Sequence, residues 1–148
     1  MTFIDPSASL VVDASVAVKW FLPEIHSSYA ALLLNGRPLL VPDLIYAEVG
    51  NIFWKRVRVG DISESEAQLF LAEFNKIPLM IFPIAALTSM AVAIAAQTAR
   101  SVYDSIYLAL AIRESSPMAT ADLRLYNALV NGPLRPHIQW IEDVKNAP

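Results

Sequence analysis

Four acidic residues stand where a carboxylate is unusual, and two of them follow short apolar runs. Asp13 comes directly after Leu10-Val11-Val12, and Asp122 follows a run that ends at Thr120. In open α/β sheets, ligands bind at the carboxyl ends of the strands, so both carboxylates are expected at that edge of a sheet. A helix N-cap is the ordinary structural role of such an Asp, and for each residue taken alone it is an equally good interpretation.

The other two acids lie in predicted helices. Glu48 falls within the apolar stripe of its helix, where a charge should not be buried unless it is paired. Pairing with Lys55, or extension to water at the margin of the stripe, is the simpler alternative. Asp104 lies in a helix that is apolar nearly all round, which marks that helix as buried. Its ordinary role would be the third position of a capping box that begins at Ser101.

Together, four such acids indicate a metal site. A cluster of unpaired carboxylates repels itself and raises the pKa of at least one member, and a divalent cation removes that conflict. Oxygen ligands select hard cations such as Mg²⁺ or Mn²⁺. Such sites activate water and stabilise a leaving oxygen in phosphoryl chemistry. The residues alone therefore predict an acidic metal site suited to phosphodiesters.

Alternating strands and helices are predicted to position these acids. Apolar, β-branched runs predict strands at 10–12, 39–41, 79–82, 117–120 and 138–141. Helical spacing and capping residues predict helices at 15–23, 27–34, 43–58, 64–76, 85–99 and 102–114, and one through 125 and 129. This alternation indicates βαβ units and a parallel sheet covered on both faces.

The composition of the chain limits the classes of protein to which it can belong. The 148 residues fit one domain, spanning 1–148. The chain has no cysteine, which excludes disulfides and thiolate metal sites and is compatible with a cytoplasmic protein. Its net charge of −3 lacks the basic excess of a non-specific nucleic-acid binder, so any nucleic acid must be held by a local patch, by metal ions or by a partner. The hydrophobic share of 55% suggests an apolar surface buried against another chain.

Two segments have features relevant to targeting or membrane insertion. The first residues carry Asp5 and Pro6 and no basic region, so we expect no signal peptide there. Residues 77–99 contain no charged side chain. An apolar helix of this length would suffice to cross a bilayer. Pro83 and several polar residues interrupt it, and a short strand followed by an Ala-rich, buried helix is the better interpretation. We therefore expect a soluble protein.

Four segments of the chain resemble the motifs of the VapC-type PIN-domain toxins, in the family's order and over nearly the whole length. Each contains one of the four acids. The segments are Val11-Val12-Asp13-Ala14-Ser15-Val16, Pro42 with Ala47-Glu48-Val49 and Asn51, residues 103–111, and Thr120-Ala121-Asp122. No single motif is diagnostic, but four in order at their proper structural places are specific.

The resemblance implies a three-layer α/β/α sandwich with a central, mainly parallel, roughly five-stranded sheet. It also implies a Mg²⁺- or Mn²⁺-dependent endoribonuclease that forms a homodimer and is inhibited by a cognate antitoxin. Asp13, Asp104 and Asp122 would hold one or two ions, with Glu48 as a further ligand or as a base that positions water. The two hydroxyl residues beside the acids, Ser15 and Thr120, would orient carboxylates or water. Helix capping is their ordinary alternative.

The sequence does not define which residues bind RNA, and three other functions are alternatives. The candidate RNA-binding cations are Lys19, Lys55, Arg56, Arg58 and Arg100, although each is more simply an ordinary surface charge. An aspartyl-phosphate phosphatase would need a second Asp where Ser15 stands. A non-catalytic binding module of this fold and a single-strand DNA nuclease are the remaining alternatives.

Overall fold

Five short apolar runs form one parallel sheet in the computed structural model, which describes residues 8–144. The chain ends, with Asp5 and Pro6, lie outside the described residues. Strands β1, β2 and β4 are buried at every residue, as expected for a sheet covered on both faces. The five strands are β1 Leu10–Val12, β2 Leu39–Pro42, β3 Met80–Phe82, β4 Met118–Thr120 and β5 Ile138–Trp140.

Helices on both faces complete a three-layer α/β/α fold. Helix α6 packs on β1, β2 and β4, while α1 contacts α3 and α3 contacts α4. Short 3₁₀ turns at Val18–Trp20, Ile84–Ala86, Arg135–His137 and Ile141–Asp143 join elements. The helices are α1 Ala14–Ala17, α2 Ser27–Leu32, α3 Leu44–Arg58, α4 Glu64–Phe74, α5 Thr88–Thr98, α6 Val102–Arg113 and α7 Leu123–Leu129.

The strand order places a binding crevice at the centre of the sheet. The order is β3-β2-β1-β4-β5, so the chain moves from β1 towards one edge and returns to β4 on the other side of β1. Val11 and Val12 of β1 pair in parallel with Met118 and Ala119 of β4. The carboxyl ends of β1 and β4 form a topological switch point, which is where open α/β sheets bind ligands.

Most element boundaries agree with the prediction, and the start of α1 differs. We expected Ser15 to begin this helix, but Asp13 is its N-cap and accepts the backbone N–H of Val16. The cause is local, since a carboxylate at the end of β1 already faces the first free amides of the helix. The predicted capping box of Ser63 and Glu66 is confirmed at α4, and Ser101 caps α6.

The prediction of a buried α5 is wrong. Only Ala91 and Ile94 of this helix are buried, whereas Met90 and Val92 face solvent. The helix packs mainly on α6 rather than on the sheet, which leaves its outer face uncovered. Among the described residues, no helix is both long and apolar enough to span a membrane.

Candidate active site

Asp13 lies at the carboxyl end of β1, where three donors hold its carboxylate. Oδ1 accepts the Ser15 hydroxyl at 2.5 Å and the Val16 backbone N–H at 3.1 Å, and Oδ2 accepts the Thr120 hydroxyl at 2.6 Å. Only 6% of Asp13 is exposed. Burial raises the pKa of Asp13 to about 6, although these three hydrogen bonds favour the charged form.

Ser15 and Thr120 tie the β1 end to the β4 end. The Ser15 hydroxyl oxygen accepts the backbone N–H of Ala121 at 3.1 Å, and that of Thr120 accepts the backbone N–H of Asp122 at 3.1 Å. Both hydroxyls donate to Asp13, so the loop that carries Asp122 is fixed relative to Asp13. Ser15 and Thr120 thus both contact Asp13 directly, and their role in orienting carboxylates or water stays a prediction.

Asp122 is more open than Asp13. It is exposed and caps α7, with Oδ1 accepting the backbone N–H of Leu125 at 3.1 Å. Its other oxygen remains available to solvent or to a ligand, because a carboxylate has about four acceptor positions. Asp13 and Asp122 therefore do have the N-cap role that was the alternative interpretation, and capping leaves acceptor capacity on both.

Glu48 reaches the site from α3 and is held from α6. The Tyr107 hydroxyl donates to Glu48 Oε1 at 2.5 Å. Burial raises the pKa of the half-buried Glu48, the Tyr107 hydrogen bond lowers it, and the charge of Asp104 raises it. Lys55 is exposed and makes no ion pair with Glu48 within the described residues. The partner of Glu48 is thus Tyr107.

Asp104 lies in the first turn of α6. Its backbone N–H donates to the Ser101 hydroxyl at 3.0 Å, so it does occupy the third position after the cap. Burial raises the pKa of its half-buried carboxyl, and the charge of Asp122 raises it further. The Ser101 hydrogen bond and the charge of Arg100 act in the opposite direction.

Mutual repulsion links all four carboxylates. The charge of Asp122 raises the pKa of both Asp13 and Asp104, and the charge of Asp104 raises that of Glu48. Burial is the largest cause that raises the pKa of the Tyr107 hydroxyl, and the charges of Glu48, Asp13 and Asp104 raise it further. The hydroxyl is therefore near three of the four acids. The structure therefore brings together at one edge of the sheet the four acids that the sequence predicted.

The acids face protein donors and do not form a ready-made ligand cage. Across residues 8–144, no group of three or more Asp, Glu or His side chains is arranged to hold a metal ion. Asp13, Glu48 and Asp122 each accept at least one hydrogen bond from a protein N–H or O–H. The donor set nevertheless consists of oxygens whose charges repel, which fits a hard divalent cation.

The candidate cations differ in their partners. Lys19 is buried and bonded to Glu24 Oε2 at 3.0 Å, and Arg56 pairs with Glu24 and Asp61. The Arg58 guanidinium lies 4.9 Å from the centre of the Trp54 ring.

Arg100 differs from these cations because it is near the acids. Its charge acts on Asp104, and its Nε has no hydrogen-bond partner in the described part of the chain. Lys55 is exposed on α3.

Tyr107 is the functional residue that sequence reasoning missed. It lies in the buried stretch of α6, and only 2% of it is exposed. A buried tyrosine hydroxyl usually has a hydrogen-bond partner. Glu48 is an acid that the sequence places in an apolar stripe, where it needs a partner. The presence of both in the sequence was the available signal.

The comparisons with known proteins agree with this fold. The PIN domain family model matches residues 10–129. Ribonuclease VapC3 of Pyrobaculum aerophilum is 34% identical over 119 residues, 78% of this chain and 91% of that protein. The crystal structure of PAE2754 from the same organism has a TM-score of 0.69 at 20% identity and covers 92% of this chain and 85% of that one. A toxin-antitoxin complex from Klebsiella pneumoniae has a TM-score of 0.58 at 16% identity, covering 91% and 99%.

The fold and the acidic edge of the sheet define a PIN-type domain, and the chain belongs to the PIN-domain family. Its relative at 34% identity makes it a VapC-type member of that family. The resemblance seen in the four sequence motifs is confirmed.

Proposed function

We propose that this chain is a metal-dependent endoribonuclease and the toxin of a toxin–antitoxin pair. The observation that carries the proposal is the convergence of Asp13, Glu48, Asp104 and Asp122, from four separate elements, at the switch point of the sheet. The similarity to a protein named a ribonuclease supports RNA as the substrate.

The four acids are the proposed ligands of one or two Mg²⁺ or Mn²⁺ ions. Asp13, Asp104 and Asp122 would bind directly, and Glu48 would bind or act as a base that positions water. Bound metal would lower the pKa of water and stabilise the departing 3′ oxygen. The raised pKa values of Asp13, Glu48 and Asp104 fit this role, because a cation relieves the repulsion that opposes ionisation.

The other residues of the site orient the acids. Ser15 and Thr120 fix both oxygens of Asp13, so its remaining acceptor positions point in set directions. Tyr107 fixes one oxygen of Glu48 and stays neutral, since its pKa is raised far above the ordinary value. Glu48 would then accept a proton from water through its second oxygen.

Arg100 is the proposed contact to an RNA phosphate. It is close enough to Asp104 for its charge to act on that carboxyl, and no ion pair engages its guanidinium within residues 8–144. Lys55 is a second exposed candidate. Lys19, Arg56 and Arg58 remain weaker candidates, because each is already engaged with Glu24, Asp61 or Trp54.

A cognate antitoxin and a second copy of the chain are the proposed partners, in the cytoplasm. The similarity to a chain of a toxin-antitoxin complex supports the first. The uncovered apolar face of α5 supports the second.

RNA cleavage tests the proposal. Purified protein should cut single-stranded RNA with Mg²⁺ or Mn²⁺ and stop with chelator, and Asp13→Asn, Asp104→Asn or Asp122→Asn should each lower the rate by at least about a hundredfold. Glu73→Gln, an exposed acid on α4, is the matched control and should cut normally. Full activity in EDTA, or cleavage of single-stranded DNA alone, would contradict the proposal.

A further inference from the structure

A cavity of about 450 Å³ runs along the open edge of β5 and is separate from the acid cluster. Its lining includes Tyr126 of α7, Arg135 before the strand, Gln139 and Trp140 of β5, and Asp143 after it. This volume lies within the usual range for small-molecule sites. The mechanism proposed above uses none of these residues.

Strand register and helix spacing place one end of this cavity beside the candidate active site. Trp140 is the register partner of Thr120, whose hydroxyl donates to Asp13, and neighbouring strands lie about 4.8 Å apart. Tyr126 follows Asp122 by four residues on α7, which is one turn along the same helix face. Arg135 lies at the opposite end of β5, so the cavity leads away from the acids.

The lining chemistry suits an unpaired nucleotide. The Tyr126 and Trp140 rings lie 5.8 Å apart at 47°, and aromatic side chains of this kind stack on bases in single-stranded nucleic acids. Gln139 also lines the cavity, and its side-chain NH₂ carries two donors, whereas its Oε1 is buried and has no hydrogen-bond partner among residues 8–144.

The two ends of the cavity carry side chains of opposite charge. Arg135 uses one guanidinium nitrogen to donate to the Val130 carbonyl at 3.2 Å, and its other N–H groups remain for an anion. Asp143 at the other end disfavours phosphate there. This polarity would favour a base and ribose beside Trp140 and the next phosphate beside Arg135.

We propose that this cavity is a nucleotide-binding subsite that holds one unpaired RNA nucleotide next to the bond cut at the acid cluster. The inference rests on the proposed function. The rival occupant is a peptide strand added to the open edge of β5. That edge is only three residues long, which allows few main-chain hydrogen bonds, and a peptide makes no particular use of Arg135.

Binding can be measured without cleavage. We would titrate ¹⁵N-labelled Asp104→Asn protein with tetranucleotides of each of the four RNA bases. The Trp140 indole N–H, the Gln139 amide and the Arg135 Nε–H should shift with one base preferred. If RNA shifts only resonances around Asp13 and Glu48, the subsite is wrong. Shifts at β5 caused by an antitoxin peptide but by no tetranucleotide would also overturn it.

Kinetics of the wild type and two variants separate this proposal from the function on which it rests. Arg135→Gln should raise KM for RNA about tenfold with kcat nearly unchanged, since one charge-assisted contact is lost. Arg124→Gln, an exposed arginine of α7 outside the cavity lining, is the matched control and should raise KM less than twofold. Normal KM in Arg135→Gln would overturn the subsite and leave the nuclease intact. A wild type that cuts no RNA, yet shows the β5 shifts, would overturn the nuclease, and with it the placement of the nucleotide next to a cut bond, while showing that β5 binds RNA nucleotides.

Discussion

At the residue scale, Asp13 shows how the fold opposes ionisation of its own site. The carboxyl is buried at the end of β1, and its three hydrogen-bond donors only partly offset the loss of water. The folded pKa of about 6 lies above the ordinary value of 3.8. Asp13 therefore destabilises the metal-free protein whenever it is charged.

This pKa predicts a pH dependence of stability. Between about pH 4 and pH 6 the native state holds the Asp13 proton that the unfolded chain has lost, so the free energy of unfolding falls as pH rises. The titration of Asp13 alone should lower the free energy of unfolding by roughly 2–3 kcal/mol, and this decrease should be complete above about pH 7. Urea unfolding in chelator-containing buffers would measure it.

Asp13→Asn isolates this contribution from the other titrating groups. The free energy of unfolding of the variant, relative to that of the wild type, should rise by roughly 2–3 kcal/mol between pH 4 and pH 7. Asp61→Asn, an exposed acid far along the chain, should show no such trend. A parallel pH profile for Asp13→Asn and the wild type would mean that the buried carboxyl is not the cause.

Asp104 allows a direct separation of a metal ligand from a capping residue. Its charge is opposed by burial and by Asp122, so Asp104→Asn should be as stable as the wild type or more stable in chelator. Mg²⁺ should raise the Tm of the wild type, because a ligand that binds only the native state stabilises it. In Asp104→Asn this gain should shrink or vanish. Thermal melts with and without Mg²⁺ would measure both effects.

Glu66 provides the matched control, because it holds the same third position after a serine cap on α4. Glu66→Gln keeps the capping box, because the Gln carbonyl oxygen can also accept the Ser63 N–H, and it should lose about 0.3–1 kcal/mol through the helix dipole, with an unchanged response to Mg²⁺. If Asp104→Asn behaves like Glu66→Gln, Asp104 is a capping residue outside the metal site.

At the element scale, one hydrogen bond joins the helices α3 and α6 over the sheet edge. Removing it by Tyr107→Phe keeps the ring in the core and frees the Glu48 carboxylate. RNA cleavage should fall about tenfold or more, as for other residues that orient a ligand, while stability should fall by only about 1 kcal/mol. Initial rates and urea unfolding would measure these changes.

Tyr103→Phe is the control for this substitution, since Tyr103 is on the same helix with 62% of it exposed. It should leave both rate and stability unchanged. Equal activity of the wild type and Tyr107→Phe would mean that Glu48 needs no orientation.

The sequence predicted most elements because hydrophobic periodicity and capping are local. The strands, the capping box at Ser63 and the cap at Ser101 follow from neighbouring residues alone. The positions of the four acids also drew attention in the sequence, because Asp13 and Asp122 follow apolar strand runs, while Glu48 and Asp104 lie in apolar stretches of helix. Their role as metal ligands stays a prediction. The start of α1 was missed, because an Asp and a Ser two residues apart are both good caps and only their tertiary contacts distinguish them.

The unpredicted features depend on which elements meet. The Glu48–Tyr107 contact joins residues 59 apart in the chain, and no local pattern specifies such a pair. The exposure of α5 was misjudged because an apolar helix can be buried by its own fold or by another chain, and sequence does not distinguish the two. The β5 cavity likewise forms only where α7 meets the sheet edge.

At the scale of the whole molecule, one charge-free segment carries a group of exposed large apolar side chains. Within residues 77–99, four large apolar side chains are between 41% and 53% exposed: Met80, Ile81, Met90 and Val92. The first two lie on the edge strand β3 and the others on α5. A surface of this kind without charges is typical of an interface between subunits.

This surface predicts that the chain is a homodimer and locates its interface. Light scattering at micromolar concentration should give twice the chain mass of 16.3 kDa. Val92→Arg should convert the dimer to a monomer, because a guanidinium buried without a partner opposes association. Leu69→Arg, on α4 and 59% exposed, places the same charge on an apolar site outside the segment and should remain dimeric. A wild-type monomer would refute the dimer. Dissociation by Leu69→Arg, with a dimeric Val92→Arg, would instead place the interface on α4.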